Sequence, residues 1–142
     1  MLTSPKARFG IVASRFNREI TERLVEGARD FFRERGAAVS SKDIVWVPGA
    51  FELPVAALRL ARSGKVRAVV AVGCILEGET AHYRYLSQAA LEGLILAGVV
   101  SGRPVTCGVI TARSWKAAQQ RSQKRGINRG REAAEAAWEM AQ

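Results

Sequence analysis

Four short apolar runs punctuate the chain, spaced widely enough for a helix to lie between each pair: Phe9-Gly10-Ile11-Val12-Ala13, Ile44-Val45-Trp46-Val47, Ala68-Val69-Val70-Ala71-Val72 and Val105-Thr106-Cys107-Gly108-Val109-Ile110. They are rich in β-branched residues and do not alternate apolar with polar. That pattern predicts strands buried on both faces, as in a parallel sheet covered by helices on each side.

The intervening segments carry helical spacing instead. From Glu19 to Arg35, apolar Ile20, Leu24, Val25, Ala28, Phe31 and Phe32 recur on one face, with Asn17 or Thr21 available as N-cap and Gly36 placed to stop the helix. A second helix is expected from Leu53 to Ser63, with Pro54 in its first turn, where a missing N–H costs nothing, and Gly64 beyond its end. A third should run from Thr80 to Val100. The tail predicts a helix over 114–123, a break at Gly126 and a last helix over 128–140.

Strand and helix alternating throughout imply right-handed βαβ crossovers and a three-layer αβα sandwich, flavodoxin-like, with a four-stranded parallel sheet in the order 2-1-3-4. At 142 residues the chain fits one domain over its whole length. The first six or seven residues match no element and are expected to pair with the sheet edge of a neighbouring chain. Apolar residues at 48% and charged residues at 25% are those of a globular protein, and no window nears the ~20 apolar residues of a membrane span. Met1 to Lys6 shows no basic stretch followed by an apolar core, so the expected compartment is the cytoplasm. Cys74 and Cys107 lack CxxC spacing and fall in apolar runs; they read as inert core thiols, and no metal is expected.

The net charge of +9 is uneven. Arg113, Lys116, Arg121, Lys124, Arg125, Arg129 and Arg131 stand in a segment without a single acidic residue. Such a run suits a polyanion, a phosphorylated metabolite or a solvated helical face. It holds one aromatic residue, Trp115, and no nucleic-acid motif, so no nucleic-acid partner is expected.

In an open parallel sheet, ligands bind beyond the carboxyl ends of the strands, which directs attention to the loops there. Ser14-Arg15-Phe16-Asn17 follows the first strand and puts a ring at a turn, where it either stacks on a planar heterocycle or folds back over the sheet. Val47-Pro48-Gly49-Ala50-Phe51-Glu52 makes a tight turn that presents backbone groups, and Glu52 suits either a ligand or the dipole of the next helix. The segment from Gly73 to His82 reads as a glycine-containing loop opening onto a helix start. Amides around Glu79 and Thr80, with the Thr80 hydroxyl, can hold a phosphate there or can simply cap the helix. His82, the sole histidine, falls within reach of such a ligand and can move protons near neutral pH.

Taken together, Ser14-Arg15-Phe16-Asn17, Val47-Pro48-Gly49-Ala50-Phe51-Glu52 and Gly78-Glu79-Thr80-Ala81-His82-Tyr83, in this order and spacing, resemble the 6,7-dimethyl-8-ribityllumazine synthase family over nearly the whole chain. The resemblance implies condensation of 5-amino-6-(D-ribitylamino)uracil with 3,4-dihydroxy-2-butanone 4-phosphate, without a cofactor. It further implies that Phe16 stacks on the pyrimidine and that Ala50, Phe51 and Glu52 meet the ribityl side. Cys74, Ile75 and Leu76 would then offer backbone contacts, Glu79, Thr80 and Arg121 bind phosphate, and His82 shuttles protons. The family forms pentamers, some built into sixty-subunit shells, with sites shared between subunits, so Arg121 would act across an interface. Departures gather in the C-terminal part. Cys107 stands where the family usually has an aromatic residue at the end of the fourth strand, thinning a wall of the pyrimidine pocket. Thr111-Ala112-Arg113 replaces Thr-Thr-Glu, while Arg121, Asn128 and Gly130 stay in register. The alternative is a non-catalytic or weakened paralogue that binds a flavin or another phosphorylated heterocycle.

Overall fold

The computed structural model describes residues 8–142. The pairing expected of the N-terminal segment with a neighbour's sheet edge falls on residues outside that range. Strands β1 (Phe9–Ser14), β2 (Ile44–Val47), β3 (Ala68–Leu76) and β4 (Val105–Ala112) form one parallel sheet in the order β2-β1-β3-β4. Helices α1 (Arg18–Glu34), α2 (Leu53–Arg62), α3 (His82–Ser101), α4 (Trp115–Gln120) and α5 (Arg129–Met140) connect and follow them. This is the flavodoxin-like three-layer arrangement that the alternating pattern predicts.

The core divides into two clusters because successive strand residues point to opposite faces. Phe9, Ile11 and Ala13 of β1 pack with Ile20, Leu24 and Phe32 of α1 and with Ala134 and Ala137 of α5. Val12, Val69 and Ala71 pack on the other side with Leu53 and Ala57 of α2 and Leu94 of α3. Phe9 stacks on Phe32 and on Trp138, with ring centroids 4.4 and 5.7 Å apart, so Trp138 is a core anchor.

Full burial on both faces holds for the central strands β1 and β3 but not for the edges. In β2 only Val47 is buried, and in β4 Cys107 is exposed, because an edge strand lacks a neighbour and its helices cover it incompletely. Cys107 is therefore not the core thiol expected. Nor does it end its strand: it pairs with Ala71, five residues before β4 stops at Ala112. Likewise, Gly73 to Leu76 are strand rather than loop, since β4 continues alongside and pairs with them to the register Leu76↔Ala112.

Helix α1 stops before Gly36, whose φ of 76° lies in the left-handed region that glycine adopts without strain. Helix α2 starts through a 3-10 turn over Ala50–Glu52 and carries Pro54 in its first turn. Helix α3 begins two residues later than Thr80, and α4 is shorter than expected, ending at Gln120.

Candidate active site

A cavity of about 390 Å³ opens where β1 and β3 end, beside the start of α3. It lies at the point where the strand order reverses, the position at which open α/β sheets bind ligands. Phe16 and Asn17 line it from the β1 loop, and Ala50 from the 3-10 turn. Cys74, Ile75 and Leu76 line it from β3, and Glu77, Gly78, Thr80 and His82 from the turn into α3. Tyr83 and Leu86 complete the wall.

The chain brings these groups together for local reasons. Arg15 N–H donates to the Val47 carbonyl at 2.8 Å and Phe16 N–H to the Pro48 carbonyl at 3.2 Å, tying the β1 loop to the β2 loop. Phe16 remains 67% exposed, so its ring is not folded into the core and is open for stacking. Asn17 stands in the left-handed region at φ 58°, and its side-chain amide donates to the Cys74 carbonyl at 2.8 Å. The Thr80 hydroxyl accepts from the His82 N–H at 3.3 Å, a cap one step outside the helix. The first-turn amides of Arg84 and Tyr85 donate to the Ala81 carbonyl at 3.0 and 3.3 Å, and this end of the helix favours negative charge. His82 borders the same cavity as Thr80.

Other residues singled out in the sequence lie elsewhere. Glu52 accepts from the Gly49 N–H at 2.9 Å, its carboxylate closing the 3-10 turn, and it borders a separate groove between β2 and α2. Phe51 is 70% exposed and outside the cavity. Glu79 is exposed and also outside its lining. Arg121 caps the C-terminal end of α4, does not line the cavity, and donates to the Ala117 carbonyl at 3.0 Å. Cys107 does not line the cavity.

Burial pushes the Cys74 thiol up to about 11, so it lines the cavity as a neutral group. Desolvation also raises Cys107, against an opposing hydrogen bond from the Val109 backbone. Among the described residues no group of three or more His, Cys, Asp and Glu side chains is placed to hold a metal ion. No described helix is long and apolar enough to cross a membrane. The basic segment is partly neutralised: Arg131 forks onto Glu34 with two 2.8 Å bonds, Arg129 pairs with Glu132, and Arg113 lies 3.9 Å from Glu77.

The sequence motifs contain Tyr83 and Asn17 but give Tyr83 no role and Asn17 only that of a possible helix cap, and Leu86 lies outside them. Tyr83 and Leu86 follow His82 at helical spacing on one face, a signal present in the sequence.

Comparison with known proteins agrees with this geometry. Residues 6–142 match the family model described as 6,7-dimethyl-8-ribityllumazine synthase. The protein named 6,7-dimethyl-8-ribityllumazine synthase 1 from Caulobacter vibrioides is 45% identical over 129 residues, covering 91% of this chain and 84% of its own length. Proteins named 6,7-dimethyl-8-ribityllumazine synthase from two strains of Xanthomonas oryzae pv. oryzae are each 41% identical over 139 residues, covering 98% of this chain and 90% of theirs. With the match running through all three strand-end motifs and the whole sheet, the chain belongs to the 6,7-dimethyl-8-ribityllumazine synthase family.

Proposed function

We propose that this chain is a transferase that condenses 5-amino-6-(D-ribitylamino)uracil with 3,4-dihydroxy-2-butanone 4-phosphate. The product is 6,7-dimethyl-8-ribityllumazine, formed with release of phosphate and water in the penultimate step of riboflavin biosynthesis. The observation that carries this reading is the convergence of Phe16, Thr80 and His82 on one cavity in a chain of this family.

Phe16 stacks on the pyrimidine, and the backbone of Cys74, Ile75 and Leu76 meets its polar edge. Ala50, Phe51 and Glu52 receive the ribityl chain. The amides of Glu79 and Thr80 hold the phosphate at the start of α3, where the helix dipole stabilises it. Imine formation, elimination of phosphate and ring closure each move a proton, and His82 supplies and removes it. Much of the acceleration comes from holding two substrates in register, which needs no cofactor.

Among the described residues, no lysine or arginine lines the cavity. Arg121 and the exposed Cys107 serve the cavity of an adjacent subunit, in an assembly of pentamers that is able to extend to a sixty-subunit shell. The outer face of α3 supports an assembly: Ile95, Leu96, Val99 and Val100 are all exposed on one helix. The whole chain acts as one domain, and the cytoplasm is its compartment, in keeping with small polar metabolites as substrates.

Mixing the purified protein with both substrates and following lumazine fluorescence tests the reading. Product above the uncatalysed background, reduced in His82→Ala, supports it. Background rate with wild type and His82→Ala alike rejects it, and ligand binding without turnover points instead to a flavin-type binding protein.

A further inference from the structure

We propose that Asn17 is a positioning residue for the pyrimidine half of the site, an inference that rests on the reading of the cavity just given. Among the described residues Asn17 is the one non-glycine with a left-handed backbone, at φ 58° and ψ 44°. Asparagine is among the few L-residues that enter this region readily. At a helix N-cap its side-chain oxygen would ordinarily accept from first-turn amides. Here it makes no such bond. The Asn17 backbone carbonyl accepts the first bonds of the helix, from the N–H groups of Ile20 at 3.1 Å and Thr21 at 3.2 Å. The side chain is turned away from the helix to another task, its Nδ2 donating to the Cys74 carbonyl at 2.8 Å.

That bond completes a two-sided suspension of Phe16. Towards β2, the loop is held by backbone bonds from Arg15 and Phe16 to the carbonyls of Val47 and Pro48. Towards β3, it is held by the Asn17 amide. Phe16 sits between the two anchors with its ring exposed at the mouth of the cavity, and Cys74 is the β3 residue from which the opposite wall starts. The Asn17–Cys74 bond therefore fixes the distance between the ring and the end of β3, which is the slot that a flat heterocycle enters. The phosphate end, at Thr80 and α3, is borne by different elements and does not depend on this bond.

Two variants separate the bond from the backbone conformation. Asn17→Gly keeps the left-handed geometry and deletes the donor. Asn17→Asp keeps the shape and sets an acceptor against a carbonyl. The probe is 6,7-dimethyl-8-ribityllumazine, titrated by its own fluorescence into wild type and both variants, alongside KM for each substrate. The expected result is a Kd for the lumazine raised roughly three- to ten-fold in both variants, the range set by loss of one positioned hydrogen bond. KM for the pyrimidine rises in parallel, while KM for the phosphorylated ketone stays within about two-fold of wild type. The inference is overturned if lumazine affinity stays within about two-fold of wild type in either variant. It is equally overturned if both KM values climb together, the sign of a generally loosened fold. Lumazine bound but not made by wild type sinks the proposed activity and leaves this inference standing; no binding by wild type sinks both.

Discussion

Gly130 of α5 lies so close to Leu24 of α1 that a Cβ at position 130 would run into the Leu24 carbonyl. The obstacle is backbone rather than a side chain that can swing away, so helices α1 and α5 cross with their main chains almost touching. Asn128 fixes the approach, its side chain donating to the Arg23 carbonyl at 3.1 Å and accepting from the Arg131 N–H at 2.9 Å. We expect Gly130→Ala to force the helices apart and cost roughly 2–3 kcal/mol, seen as a fall in Tm of about 5–10 °C by calorimetry. An unchanged Tm would show that the crossing is not fixed by this contact.

Removing the imidazole should strike turnover more than binding. His82→Ala is expected to lower kcat by about ten- to a hundred-fold, with KM for both substrates little changed, because proximity of the two substrates is retained. Steady-state fluorescence kinetics measure both constants. A rise in KM without loss of kcat would assign His82 to binding instead.

Arg121 does not line the cavity of its own subunit, so the proposed role for it calls on a second subunit. His82→Ala and Arg121→Ala should each be strongly impaired, yet dissociating them together and reassembling should restore full activity in about a quarter of the sites, those combining an intact His82 with an intact partner arginine. If the mixture is no more active than its components, the site is not shared in this way.

The two cysteines should differ in a way that reports assembly. Cys74 is buried with its thiol raised to about 11, and should resist alkylation until the protein unfolds. Cys107 is exposed on the lone subunit and should be labelled slowly after dissociation but be protected in the assembled particle. Mass spectrometry after iodoacetamide treatment decides. Equal labelling of Cys107 in both states would remove it from any subunit contact.

Asp43 predicts an acid-sensitive joint. Burial by itself would raise its carboxyl, but hydrogen bonds from Arg8 and from the Ser40 N–H and hydroxyl outweigh that and lower it below 3.8. A carboxyl lowered in the folded state stabilises the fold above its unfolded pKa and loses that contribution as pH falls through the folded value. Wild type should therefore lose stability below about pH 4, and Asp43→Asn should be less stable at neutral pH with a shallower acid dependence. Urea midpoints at pH 7 and pH 3 test the pair.

The sheet was legible because β1 and β3 are buried on both sides, and that burial writes an uninterrupted apolar run into the sequence. The same rule misled at β4, where burial is partial and Cys107 was assigned to the core. It also misled at Gly73 to Leu76, where glycine and cysteine suggested a loop although pairing with β4 keeps them extended. Phe16, Thr80 and His82 could be found because the cavity is built from strand ends, which sequence order places well. The second role of Asn17 could not, since its partner Cys74 is 57 residues away and nothing local marks a bond across the sheet. Arg121 could be placed on α4, but which cavity it serves is a property of the assembly rather than of one chain's periodicity.

The apolar outer face of α3 has a consequence for the life of the protein before it does any chemistry. A newly synthesised copy carries Ile95, Leu96, Val99 and Val100 into water, with no other described residue laid over them. Finding sister molecules is thus the last stage of its maturation, and output of the pathway should climb more steeply than in proportion to expression level while copies are scarce, then linearly once they are plentiful.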